Sequence, residues 1–341
     1  LISGFSSRGL VASIPFGGWA DFTVGVMNGQ SIAGWDNIFG FDNADNLIVA
    51  GTLGFNFLNN HDGELRLEIT SLYGSLLSRS GFNDESTTDT EESKGLGFRL
   101  IGSTPSGRLR FEGGIALSEF DNPDDPLLSQ GLDLVEVQEE TEYAYYADVG
   151  FDILRQHAVG ENLFANLTFG YHFEWVDPLF RSVAAFSLAD LFQNTFELNG
   201  NIGEFNAGMS YYFSEDNLDN INSIMTTKTR RFTGNFSTPV AFLIGRSGNP
   251  SIWYPYVSYN FEWTKQFGDK VPDNSNFDSA SQVPNQINMN HTASLQWQGE
   301  KWRAGYNFNL STVNNRQQGR ENADFSTLVN GLTFGITPHE K

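Results

Sequence analysis

The stretch HTASLQWQGEKWRAGYNFNLS, His291 to Ser311, decides how this chain is read. At a period of two, Ala293, Leu295 and Trp297 fall on one face, and Thr292, Ser294 and Gln296 fall on the other. After the polar turn Gly299-Glu300-Lys301 the alternation resumes. Trp302, Ala304, Tyr306, Phe308 and Leu310 point one way, and Arg303, Gly305, Asn307, Asn309 and Ser311 the other. Strict alternation on both sides of a short polar turn is the mark of a β-hairpin. One apolar face of this kind can be hidden in a soluble sandwich. A chain that repeats it from end to end has too many such faces to hide.

The repetition is there. Leu65, Leu67 and Ile69 oppose Arg66, Glu68 and Thr70, and Leu109, Phe111, Ile115 and Leu117 oppose Arg110, Glu112, Gly114 and Ser118. Leu163 to Phe173 and Phe205 to Phe213 follow the same rule. Short connections (16–18, 59–63, 105–107, 155–162, 199–201, 248–250 and 299–301) alternate with long ones near 28–46, 79–94, 121–141, 176–182, 214–230, 265–285 and 313–324. No run of eighteen consecutive apolar residues occurs, so no membrane helix is expected. Hidden apolarity at period two, with loops short on one side and long on the other, predicts an all-β transmembrane antiparallel up-and-down barrel of about 16 strands (14–18). Its short turns would be periplasmic and its long loops extracellular, in a single domain over 1–341.

Composition fits that expectation. The 341 residues include 30 Phe, 35 Gly and no Cys, at a mean hydropathy of -0.32. The lack of cysteine removes disulfides and thiolate metal sites. A net charge of -21 makes nucleic acid an unfavourable partner. The chain opens on Leu1 without a basic and apolar leader, which implies a removed signal or membership of a longer polypeptide. Tryptophans are placed as girdle residues: Trp19, Trp297 and Trp302 beside short turns, and Trp175 at a long-loop end. Trp253 and Trp263 share the face of one strand. Their ten-residue separation spans about 33 Å along a strand, or roughly 25 Å of height at a tilt of about 40°.

On these features the chain resembles the bacterial outer-membrane β-barrel (porin-like) family over nearly its whole length. The final strand carries Gly331, then outward Phe334 and Ile336, and looks like the C-terminal signal read by the barrel-assembly machinery. That family usually ends on the aromatic residue, whereas Thr337 to Lys341 follow here. The resemblance implies a Gram-negative outer-membrane location and contact with membrane lipid and lipopolysaccharide, with a partner protein or homo-oligomer as further possibilities. It names no solute.

For function, the inward face is the place to look. Glu64, Arg66, Glu68, Arg99, Arg108, Arg110 and Glu112 share it on neighbouring strands, and His172 and Glu174 lie on another. Mixed charges there either select polar solutes or pair with one another to stabilise the wall. Oxygen-rich runs such as Asp121 to Asp125 and Glu215-Asp216-Asn217 could hold Ca²⁺, but match no twelve-residue calcium loop. Solvated acidic loops are the competing reading, and no cofactor is expected. Apolar residues in loop 28–46 (Ile32, Trp35, Ile38, Phe39, Phe41) and in 214–230 (Ile221, Ile224, Met225) either fold inward or pack at the rim. Of the five histidines only His172 faces inward, with no serine or carboxylate pair beside it, so no catalytic site is expected. The leading expectation is a passive or gated pore for polar solutes. The first rival is a translocation or anchor barrel of a larger secretion, export or surface-display protein, and a barrel enzyme is third. Pro239 and Pro255, in consecutive strands, predict a bulge or lost pairing, chiefly at Pro239.

Overall fold

The structure is a computed structural model, and it describes residues 8–28, 47–58, 63–77, 90–121, 140–183, 188–222, 224–246, 253–269 and 283–336. Strands dominate the described residues: β1 (Arg8–Phe16), β2 (Ala20–Asn28), β3 (Leu47–Leu58), β4 (Glu64–Leu77), β5 (Thr90–Ser103), β6 (Leu109–Asp121), β7 (Glu140–Gly160) and β8 (Leu163–Val176). Then follow β9 (Leu191–Ile202), β10 (Phe205–Glu215), β11 (Thr226–Pro239), a single helical turn α1 (Val240–Leu243), β12 (Tyr256–Asp269), β13 (Asn285–Gln298), β14 (Trp302–Asn315) and β15 (Phe325–Ile336). They form one antiparallel up-and-down sheet in sequence order from β1 to β15. Fifteen strands fall within the expected range. Among the described residues no pairing joins β1 to β15.

The chain divides into two compact units, residues 1–149 with 173–192 and residues 150–172 with 193–341. In the second, the opening hairpin has the expected register. Ala293 pairs with Phe308, Leu295 with Tyr306 and Trp297 with Ala304. Partners in an antiparallel ladder share a face, so this register keeps the apolar side chains together and a one-residue slip would mix them with the polar set. In the first unit the same rule puts Thr52, Gly54 and Asn56 of β3 beside Thr70, Glu68 and Arg66 of β4.

Several boundaries differ from expectation. The turn expected at 155–162 shrinks to Glu161-Asn162, because β7 runs through 155–160 with a break in regular backbone at Gln156, whose φ is 48°. Asn166 Oδ1 accepts the Gln156 N–H at 2.8 Å there. The turn expected at 199–201 sits at Gly203-Glu204, where Gly203 adopts φ 55°. Between β11 and β12 the connection is longer than expected, and 248–250 lies outside the described residues. Trp253 therefore precedes β12, 79% exposed, rather than sharing a strand face with Trp263. The tryptophan ruler along that strand fails for this reason.

The proline expectation is met in part: the strand expected over 230–246 stops at Pro239 and pairing is lost beyond it, but no bulge interrupts the β11–β12 ladder. β11 and β12 pair without interruption from Thr226↔Asp269 to Pro239↔Tyr256. Pro239 is the last residue of its strand, and the chain turns into α1 immediately after it, so its missing N–H costs the ladder nothing. Pro255 directly precedes β12, as a strand-start proline does, and its carbonyl accepts the Val240 N–H at 2.9 Å. The register shift falls instead between β3 and β4, at Asn56/Leu58.

Candidate functional site

The first unit carries a continuous line of charge across its polar face. On β2, Asp21 opposes Gly54 of β3, which opposes Glu68 of β4. Because Gly54 has no side chain, Arg66 lies across it; a Cβ at that position would stand 2.2 Å from Arg66 Nη2. The guanidinium thereby donates to both Asp21 oxygens, at 2.6 and 3.0 Å, to Asn56 Oδ1 at 2.9 Å and to Glu68 Oε1 at 2.8 Å. Arg99 of β5 takes up the other Glu68 oxygen at 3.1 Å. It then meets Glu112 of β6 in a two-pronged pair at 2.8 and 2.9 Å. Tyr146 of β7 ends the line, donating its hydroxyl to Glu112 Oε1 at 2.8 Å, and its ring occupies the space over Gly114. Planar guanidinium–carboxylate pairs of this geometry fix side-chain direction as well as supplying attraction.

Four of the expected wall residues, Arg66, Glu68, Arg99 and Glu112, are thus brought together. Glu64 opens β4, opposite Ser103, and Arg110 lies opposite Ser103 on β6. Arg108 sits in the turn before β6. His172 and Glu174 lie on β8, and the line is built without either. Asp21 and Tyr146 join it although sequence reading did not single them out. The signal for both was a glycine on the polar face, Gly54 and Gly114, which leaves room for a long side chain from the next strand.

Above this line residues 177–183 lie on the same face, and the connection between β8 and β9 is longer than the expected 176–182. Phe180 is 4% exposed and packs with Ala144 and Val176, beside Ala116 and Leu191. Val183 packs on Ile48 and Leu72. Ser93 Oγ accepts the Val183 N–H at 3.1 Å, Ser118 Oγ donates to the Arg181 carbonyl, and the Arg181 guanidinium sits 4.7 Å over the Phe120 ring. Asp177 anchors the start: its carboxylate accepts the Trp175 indole N–H at 2.8 Å and the Tyr143 backbone N–H at 3.0 Å. Its carbonyl accepts the Phe180 and Asp190 N–H groups. Between this segment and the charge line lies a cavity of about 430 Å³ bordered by Glu68, Arg99, Glu112, Tyr146, Phe180 and Ser182.

In the second unit the polar face is mostly uncharged. Ser210 bonds Thr233, Ser258 bonds Ser294, and Asn309 donates to Asn290 and Thr292. Glu215, Asp216 and Asn217, considered for Ca²⁺, are committed otherwise. Glu215 meets Lys228 at 3.3 Å, Asp216 caps the Thr227 N–H, and the Asn217 amide donates to the Ile221 and Ile224 carbonyls. Among the described residues no three carboxylate or imidazole groups gather as metal ligands, and 122–125 lies outside them. Ile221 and Ile224 are 42% and 49% exposed, while the apolar residues of loop 28–46 lie outside the described residues. Trp19 stacks on Phe55 at 6.3 Å, Trp302 pairs with Ile336, and Phe334 and Ile336 remain about two-thirds exposed. No protein-family model, no curated protein and no solved structure matches this chain.

Proposed function

We propose that the chain is a β-barrel of a Gram-negative outer membrane that forms a passive pore for polar solutes, narrowed by residues 177–183. The observation that carries the reading is the opposition of the two sheet faces in the first unit. One holds the Asp21–Arg66–Glu68–Arg99–Glu112–Tyr146 line and an infolded segment, while the other leaves Val49, Tyr73, Leu96, Phe98 and Leu100 exposed. A sheet so exposed on its apolar face needs a non-aqueous neighbour. Strands of 12 to 14 residues, as in β3 to β6, extend about 40 to 46 Å. At a tilt of about 40° they rise roughly 30 to 35 Å, enough to cross the apolar band of about 25 Å.

Such a pore passes solutes through the polar face, and the charge line orients them across the narrow point. The Gly331, Phe334 and Ile336 strand end serves the assembly machinery in this reading, and Trp19, Trp175, Trp263, Trp297 and Trp302 mark the membrane edges. The test is conductance of the purified chain in planar lipid bilayers. Discrete ohmic steps support a pore, and a silent but fully inserted chain removes it.

A second reading, an anchor or translocation barrel of a larger protein, is favoured by the odd number of strands among the described residues. β1 and β15 run in the same direction, so closure takes one more strand antiparallel to both. Under this reading that strand comes from residues 1–7 or from a longer polypeptide.

A further inference from the structure

Within the second unit, β11 and β12 set two cations against each other on the apolar face. Arg230 lies directly opposite Lys265 in the ladder, on the face that carries Phe232, Phe236, Tyr259 and Phe261. Like charges in this position repel, and neither side chain has a carboxylate partner among the described residues. Both lie over the Phe267 ring instead, at 5.5 and 4.6 Å from its centroid. The acidic groups nearby lie on the same face toward the loop end, Glu215 opposite Lys228 and Asp269 opposite Thr226, and both are held by Lys228, at 3.3 and 2.7 Å. This end of the strands adjoins the long connections 216–225 and 270–284.

Directly along the strands from the basic pair is an apolar groove of about 750 Å³. Its floor is low because Gly200, Ala207 and Gly234 supply almost no side chain, and Phe232, Phe236 and Phe261 form the walls. On the β13 side of the groove, opposite Phe261, His291 breaks the apolar pattern. Its Nδ1 is 2.7 Å from the Tyr259 hydroxyl and its ring is 4.9 Å from Phe261. From Arg230 to Gly234 is about 13 Å along the strand. A phosphate held by the two cations therefore places an acyl chain in the groove.

We propose that this surface is a site for one phosphorylated, multiply acylated glycolipid of the outer leaflet, the lipid A part of lipopolysaccharide. Its phosphate bridges Arg230 and Lys265, and one acyl chain lies between Phe232 and Phe236 down to the Tyr259–His291 pair. The basic pair sits at the long-loop end, which is the outer-leaflet end if the chain is an outer-membrane barrel, and the proposal rests on that reading. The anion relieves the repulsion between the cations, and the groove covers a chain that the flat sheet elsewhere does not.

The test uses the full chain, with co-flotation on lipid vesicles as the first measurement. The refolded chain in micelles is then titrated with purified lipid A and, separately, with phosphatidylglycerol, and bound lipid is counted by native mass spectrometry. Arg230→Gln with Lys265→Gln is expected to weaken lipid A binding at least about ten-fold, since two charge-assisted bonds are lost. Gly234→Leu fills the groove; a Cβ there meets only Phe232 Cε1, at 3.8 Å, so the first side-chain carbon has room, and gel mobility of the folded form checks the variant. It is expected to weaken binding by a few-fold with the basic pair intact. Failure of the wild-type chain to co-float overturns the membrane reading. Co-flotation with unchanged lipid A binding in both variants overturns this site alone. Equal affinity for phosphatidylglycerol overturns the ligand, and a dimer abolished by Gly234→Leu makes the face a contact between copies.

Discussion

Gly54→Ala adds one methyl group to β3, and the charge line gives it an outcome opposite to the usual one. The new Cβ would lie 2.2 Å from Arg66 Nη2, 2.6 Å from Cζ and 2.9 Å from Nη1. The guanidinium has to leave, and with it go both bonds to Asp21 and the bond to Asn56. The Arg66 and Asp21 side chains are 19% and 26% exposed, between a free surface pair and a buried one. Their loss is therefore set at about 1–2 kcal/mol after screening. Alanine recovers about 0.5–1 kcal/mol through the less flexible unfolded chain, leaving a net destabilisation of roughly 0–1.5 kcal/mol. Gly234→Ala is the control, because its Cβ meets nothing closer than 3.8 Å and it is expected to stabilise by about 0.5 kcal/mol. The assay is urea unfolding in micelles, followed by the gel mobility of the folded form. In an Asp21→Asn background the cost of Gly54→Ala shrinks, since the lost pair is already gone. If Gly54→Ala stabilises the chain as Gly234→Ala does, or if the two changes at 54 and 21 add independently, Gly54 is not what lets Arg66 cross β3.

Three further outcomes follow from the same geometry. The line holds three carboxylates (Asp21, Glu68, Glu112) against two guanidinium groups, so the proposed pore is expected to prefer potassium over chloride. Reversal potentials in a salt gradient measure this, Glu112→Gln moves them toward chloride, and chloride preference in the wild type refutes it. Asp177→Ala removes the acceptor for Trp175 and Tyr143 at the root of the infolded segment, and single-channel conductance is expected to rise at least about 1.5-fold as the narrow point loosens. Amide exchange by mass spectrometry is expected to be faster around Asn56 to Leu58, where the register slips, than through the regular β11–β12 ladder.

The parts of this fold that sequence could reveal are those written in the period of the side chains. Alternation along 291–311 placed both strands and their turn, because the cost of a register slip falls on every residue at once. Arg66, Glu68, Arg99 and Glu112 were legible for the same reason: parity alone puts them on the polar face. Parity does not say which strand's side chain crosses which neighbour. Asp21 and Tyr146 reach the line through space left by Gly54 and Gly114, and a glycine on the polar face reads along the chain as a mere gap.

Pro239 was misread because a lone strand offers no way to tell its interior from its last residue. The alternation Phe232–Gly234–Phe236 continues in the sequence to Val240 and Phe242, and only the turn into α1 ends it. Trp253 was misread by the same continuation in reverse. The infolded segment had a visible signal that was not used. Ile48, Leu72, Ala116 and Ala144 occupy polar-face positions at the loop ends of β3, β4, β6 and β7, where alternation demands hydrophilic side chains. An apolar patch on the wrong face needs a cover, and small residues such as Gly95 and Gly97 beside it leave room for one. Phe180 and Val183 supply that cover. A break in the alternation, confined to one end of adjacent strands, is thus itself evidence for a segment that folds back over the polar face.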